Sequence, residues 1–191
     1  FEKISHKPLS GEDNWLSISR LFLGRGEKEV PYERITYMTP AGGEPLTLDF
    51  YPPQNAKGPA PWVFVVHGGS WQGGDSTQLP ELNSHLAHRG FGVVSINYRL
   101  APQWQWPAQG EDAVNAVEFI RAHASEMKLD PDRWVSLGRS AGGQIAGVLA
   151  YGMTEHSPSG LILFYAPTEL VFGYEVGEEN DMLESRPLMR S

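Results

Sequence analysis

The sequence contains no cysteine. That excludes disulfides, thiolate metal sites and a cysteine nucleophile, and leaves the redox compartment open. Basic residues are scarce: 15 Lys and Arg stand against 23 Asp and Glu, a net charge of −8. Nucleic acid and anionic membranes both require a basic face, so neither is expected as a partner. No apolar run approaches the roughly 20 residues of a membrane span. Repeats and low-complexity tracts are missing too, and no spacing implies a metal or an organic cofactor. The first residue is Phe1 rather than Met, so an upstream leader or anchor stays open, as does the compartment.

What is present is one domain of 191 residues with ordinary globular composition. Residues 1–31 form a polar arm with Trp15, Ile18 and Phe22 at helical spacing. Arg34 to Thr39 and Leu46 to Tyr51 alternate around Pro40-Ala41-Gly42-Gly43, which predicts an antiparallel hairpin at a sheet edge. Short apolar strands follow at 62–66, 92–97, 133–137 and 161–165. The helices between them are expected over Pro80 to Arg89, over Asp112 to Lys128 with Ala113, Ala116, Val117, Ile120, Ala124 and Met127 on one stripe, and over Ala141 to Tyr151. Strand–helix alternation predicts an α/β fold: a doubly wound, mostly parallel sheet with N-terminal antiparallel strands. The core is expected over 32–169. Residues 170–191 are polar and weakly periodic, and read as the start of a cap or lid insertion.

Two loops leave the carboxyl ends of these strands, where ligands bind in such sheets. One is His67-Gly68-Gly69-Ser70-Trp71. The other, Gly138-Arg139-Ser140-Ala141-Gly142, has the form G-x-S-x-G between a strand and a helix, the context of a nucleophile elbow. Attack by Ser140 on a carbonyl places negative charge on its oxygen, and backbone N–H groups aimed there are often the largest catalytic term. Glycines let backbone come close. The expected oxyanion donors are the N–H groups of Gly69, Ser70 and Ala141, the last at a helix N-terminus. Trp71, Trp104 and Trp106 lie in loops expected at the same end. They could wall an apolar substrate pocket or simply pack.

On His67-Gly68-Gly69-Ser70-Trp71, Tyr98-Arg99-Leu100-Ala101-Pro102 with Pro107 and Asp112, and Gly138-Arg139-Ser140-Ala141-Gly142-Gly143, the chain resembles the α/β-hydrolase fold. More narrowly it resembles the hormone-sensitive-lipase-like esterases and their carboxylesterase relatives, from about residue 33 to about 167. The resemblance implies Ser140 as nucleophile, the glycine loop as oxyanion hole and a small-molecule ester as substrate, short-chain or aromatic in its acyl part. Ser70 departs from the pattern where many relatives carry a third glycine. Arg139 departs where many carry an acid or histidine, and is expected to point into solvent rather than toward the acyl site.

A serine hydrolase also needs a histidine base and a carboxylate to orient it, in this fold in the order Ser, acid, His. His156 is the one histidine after Ser140, and a helix length separates it from the elbow. His85, His88 and His123 lie late in their helices, His6 lies on the arm, and His67 is expected to brace its loop. Glu169 is a candidate acid. Asp75 is expected to brace the loop, and Asp112 to face a helix dipole. The acid and histidine are therefore expected beyond residue 191. The remaining partner is either a second copy of the chain or that C-terminal segment. A sheet stopped after the last strand is expected to expose an apolar edge. Two other readings stand beside the esterase: an amidase of the same machinery acting on an aryl formamide, and a hydrolase-like domain that binds without catalysis.

Overall fold

In a computed structural model, residues 28–153 and 155–169 are described. The arm up to residue 27 and the expected cap start at 170–191 lie outside the described residues. Strands β1 (Glu33–Met38), β2 (Leu46–Tyr51) and β3 (Ala60–Val66) lead to helix α1 (Pro80–His88). Then come β4 (Gly92–Ile96), α2 (Ala108–Ala122), β5 (Leu129–Arg139), α3 (Ala141–Gly152) and β6 (Gly160–Phe164). The sheet order is β1-β2-β4-β3-β5-β6. β1, β2 and β4 pair antiparallel, while β4, β3, β5 and β6 run parallel. This is the expected fold class.

Alternation along the strands divides the core. From β3, Trp62, Phe64 and Val66 join a cluster with Val117 and Ile120 of α2 and with Ile145 and Leu149 of α3. Val63 and Val65 face the other way, onto Val30, Tyr51, Ala87 of α1 and Leu137. Trp62 stacks on Trp134 across β3 and β5, ring centroids 4.9 Å apart and ring planes nearly parallel at 9°. Val30, within the expected arm, is buried and its N–H donates to Ser84 Oγ at 3.1 Å.

α2 starts and ends earlier than its apolar stripe suggests. It opens at Ala108, behind Pro107, a residue suited to a first turn. It closes at Ala122, where the His123 N–H donates to the Phe119 and Ile120 carbonyls and Lys128, at φ 56°, turns the chain into β5. Ala124 and Met127 are buried from this turn rather than from the helix. Ile162, Leu163 and Phe164 of β6, the last strand in the sheet order, are each about two-fifths exposed, at 42, 38 and 41%. No described helix is long and apolar enough to cross a membrane.

Candidate active site

β5 ends at Arg139 and α3 begins at Ala141, leaving Ser140 alone in the turn with φ 51° and ψ −125°. A side chain at such a backbone is strained by about 1–3 kcal/mol and persists where its surroundings dictate it. Here they do. The Ser140 N–H donates to the Phe164 carbonyl at 3.0 Å, and its own carbonyl accepts from Gly143 N–H at 2.9 Å in the first turn of α3. Ser140 is partly exposed at the carboxyl ends of β3 and β5, while Ala141 is buried.

The loop after β3 lies against this turn. A Cβ on Gly68 would sit 3.2 Å from Ser140 Cβ. Gly69, Ser70 and Trp71 follow with φ of 135°, 52° and 59°, three left-handed residues in a row. The Gly69 carbonyl accepts from the Gln72 and Gly73 N–H groups, both at 3.0 Å, closing the loop on itself. Among the described residues, the N–H groups of Gly69, Ser70 and Ala141 have no acceptor outside regular helix and strand pairing. The Gly68 end of the loop is thus packed against the Ser140 turn.

Three groups hold the loop. His67 is 1% exposed, with its ring stacked on Tyr98 at 4.3 Å. Its Nδ1 lies 2.8 Å from the Gly68 carbonyl and, facing an acceptor, carries the proton. Tyr98 hydroxyl donates to the His67 carbonyl at 3.0 Å, and burial pushes that phenol above its ordinary range. At the loop's far end, Ser76 Oγ donates to the buried Asp49 at 2.7 Å, and Ser76 N–H donates to Asn97 Oδ1 at 2.9 Å. Asp49 also accepts two hydrogen bonds from Arg34, at 2.7 and 2.9 Å. This Asp49–Ser76–Asn97 network ties the loop to β2 and β4 and was not expected from the sequence. The one available signal was a carboxylate, Asp49, inside a strand.

Burial holds the His67 imidazole below its ordinary pKa, with the nearby Arg139 charge adding to the effect against the Gly68 hydrogen bond and Asp75. The unfolded chain therefore binds the His67 proton more readily than the folded one, so stability rises with pH and is lost as pH falls below about 6.5. Replacing His67 with Asn should flatten that acid limb in urea unfolding between about pH 5 and 7. An unchanged slope would mean that other groups set it.

The other sequence candidates are distributed unequally. Trp71 belongs to the site: its indole N–H donates to Gln144 Oε1, one turn into α3, at 3.2 Å. Trp104 instead lies under the Arg99 guanidinium, 5.0 Å from its ring centroid, and beside Gly43 of the β1–β2 turn. Trp106 lines a groove of about 660 Å³ with Val114 of α2 and Val148, Leu149 and Gly152 of α3. That groove follows the last half of α3, a 12-residue helix of about 18 Å that starts at the elbow. Among the described residues the three tryptophans thus have different neighbours: Gln144 for Trp71, Arg99 for Trp104 and the α2–α3 groove for Trp106.

Arg139 corrects a second expectation. It does not point into solvent: it is 7% exposed, with Nη2 donating to Gln78 Oε1 at 3.1 Å. Asp112 does more than face a helix dipole. Fully buried, it takes the Arg99 side chain at 2.7 Å and the Arg99 backbone N–H at 2.8 Å, pinning the loop between β4 and α2. Asp75 accepts from the Thr77 N–H and hydroxyl, which hold its carboxyl below the usual range.

The remaining histidines are placed elsewhere. His88 reaches the Lys28 carbonyl at 2.7 Å, His123 the Phe119 carbonyl at 2.8 Å, and His156 Arg121 at 2.9 Å. Glu169 is exposed, past the end of β6. His6 lies outside the described residues. Among the described residues, no group of three or more His, Asp or Glu side chains is arranged to hold a metal ion.

Residues 48–179 match the BD-FAE family. The protein named "Probable carboxylic ester hydrolase LipM" of Mycobacterium tuberculosis is 38% identical over 108 residues, covering 56% of this chain and 25% of that one. Carboxylesterase NlhH of the same species is 34% identical over 125 residues, covering 65% of this chain and 37% of that one. The chain thus spans well under half the length of these two relatives. A solved structure, a bacterial heroin esterase, superposes with a TM-score of 0.65 at 25% identity, covering 81% of this chain and 50% of that one. Elbow, glycine loop, sheet order and these likenesses agree: the chain belongs to the BD-FAE family and has the α/β-hydrolase fold.

Proposed function

We propose that this chain carries the nucleophile and oxyanion hole of a serine hydrolase that cleaves carboxylic esters with short-chain or aromatic acyl groups. The observation that carries the reading is the strained backbone of Ser140, φ 51° and ψ −125°, held in a strand-to-helix turn against the glycine loop. A turn that only connected β5 to α3 would gain nothing from that strain, and glycine would relieve it. The names of LipM and NlhH support the same chemistry.

In this reading Ser140 Oγ attacks the ester carbonyl carbon as its proton passes to a base. The carbonyl oxygen becomes an oxyanion, held by the Gly69, Ser70 and Ala141 N–H groups. The bond to the alkoxy oxygen then breaks, the alcohol leaves with the proton, and water releases the acid from the Ser140 acyl-enzyme. His67, 1% exposed, stacked on Tyr98 and bonded through Nδ1 to the Gly68 carbonyl, is read as a brace of the loop rather than as this base. The base and its carboxylate are assigned to residues outside the described ones. Trp71, held from the glycine loop against Gln144 in the first turn of α3, is the side chain assigned to the acyl group.

The burial of His67 within its loop and the engagement of His88, His123 and His156 with other groups favour one competing reading, a hydrolase-like binding domain. Turnover of an aryl acetate against the matching aryl formamide by the full-length protein separates the cases. Acetate is expected to be hydrolysed faster by at least about tenfold, since the better leaving group suits an ester hydrolase. Faster formamide turnover would make the protein an amidase. No turnover of either, with retained affinity for the ester, would make it a binding domain.

A further inference from the structure

The Gly69 N–H belongs to the same peptide group as the Gly68 carbonyl. A planar trans peptide points these two groups in opposite directions, so whatever fixes the oxygen aims the N–H. Two donors converge on that oxygen: His67 Nδ1 at 2.8 Å and Gln78 Nε2 at 3.5 Å. The second is long, and its direction is set from behind. Gln78 Oε1 accepts from Arg139 Nη2 at 3.1 Å. A guanidinium only donates, so it selects the oxygen end of the Gln78 amide and leaves the NH₂ end facing Gly68.

The space around this contact is fully used. A Cβ on Gly74, at φ 91°, would lie 2.3 Å from the Gly68 oxygen, 2.7 Å from Gln78 Nε2 and 2.7 Å from His67 Nδ1. The three groups therefore meet over a residue that has no side chain. Arg139 is costly where it sits. It is 7% exposed, its Nε has no partner, and among the described residues no carboxylate is within ion-pair distance. A buried charge with so little compensation calls for a role. Arg139 directly precedes Ser140, so one strand end places both the nucleophile and this charge.

We infer that Arg139 and Gln78 are positioning residues: they hold the carbonyl end of the Gly68–Gly69 peptide and so aim its N–H at the oxyanion. The inference rests on the esterase reading of Ser140. Donors at the oxygen also polarise the peptide and strengthen its N–H as a donor.

The decisive variant is Gln78→Glu in the full-length protein. Glutamate still accepts from Arg139, now as an ion pair, but gives nothing to the Gly68 oxygen. Gln78→Leu removes both contacts, and Arg139→Lys restores a donor where Arg139→Met does not. Two readouts are taken: kcat and KM on an aryl acetate, and the Gly69 amide resonance in ¹⁵N-glycine-labelled protein. Gln78→Glu is expected to lower kcat on the order of tenfold with KM nearly unchanged, and to displace the Gly69 resonance, while thermal stability is kept or raised. Arg139→Met should do the same and Arg139→Lys less. A merely structural role for Gln78 predicts wild-type kcat in Gln78→Glu, because the contact to Arg139 survives. An unmoved Gly69 resonance in Gln78→Glu and Gln78→Leu overturns the inference whatever the turnover. A displaced resonance in a protein whose wild-type turnover does not depend on Ser140 supports the positioning role and overturns the esterase reading instead.

Discussion

Ser140→Ala should reduce ester turnover by a factor on the order of 10⁴ to 10⁶, the loss seen when a triad nucleophile is removed while the rest of a serine hydrolase stays intact. Alanine keeps the Cβ and hence the strained backbone at φ 51°. Its melting temperature should accordingly stay close to the wild type. Ser140→Gly should be as inactive but more stable, by about 1–2 kcal/mol, because glycine adopts positive φ without a steric cost. The pair separates two properties of one residue: Oγ supplies the chemistry, and the backbone supplies its exposure. Comparable activity in wild type and Ser140→Ala would assign the nucleophile elsewhere. A Ser140→Gly variant less stable than wild type would mean that Oγ, not strain relief, dominates stability at this turn.

Gly142→Ala should cause a large loss of stability. An added Cβ would lie 2.2 Å from the His67 carbonyl oxygen and 2.3 Å from that of Val66. Those atoms are backbone at the end of β3, a central strand paired on both sides, and cannot swing away as a side chain would. Either α3 lifts from the sheet or β3 shifts, and the elbow is anchored to both. A cost of about 3–5 kcal/mol follows, which for a chain of this size lowers the melting temperature by about 10 °C. Gly147→Ala on the same helix is the control. Nothing lies within 4 Å of its added Cβ, and alanine has the better helix propensity. Equal losses in the two variants would show that close approach at Gly142 is not what fixes the elbow.

The sheet was legible because its parallel strands are short apolar runs broken by glycine, proline and helical spacing. Strands expected at 62–66, 92–97 and 161–165 form at Ala60–Val66, Gly92–Ile96 and Gly160–Phe164. Helix boundaries were less legible. The apolar stripe from Ala113 to Met127 crosses the end of α2, because Ala124 and Met127 keep their burial in the turn that follows. The elbow and its glycine loop could be read because their demands are local: turn, glycine, strand end.

Long-range side-chain partners could not be read that way. Asp49 and Ser76 meet across 27 positions, and Arg139 and Gln78 across 61. A charge beside a nucleophile has two equally local readings, into solvent or inward, and only the loop packed against it decides. The neighbours of the tryptophans were hidden for a related reason. Loops on one end of a sheet can still send side chains to different places, and Trp106, just before α2, lines the groove beside the last half of α3.

The central claim is that Ser140 is an activated nucleophile. The measurement that tests it most directly is reaction of the full-length protein with a fluorophosphonate probe, followed by intact mass and mapping of the adduct. The account predicts one adduct per chain, on Ser140, absent from Ser140→Ala. Failure of folded protein to react at Ser140, or an adduct on another residue, would contradict it.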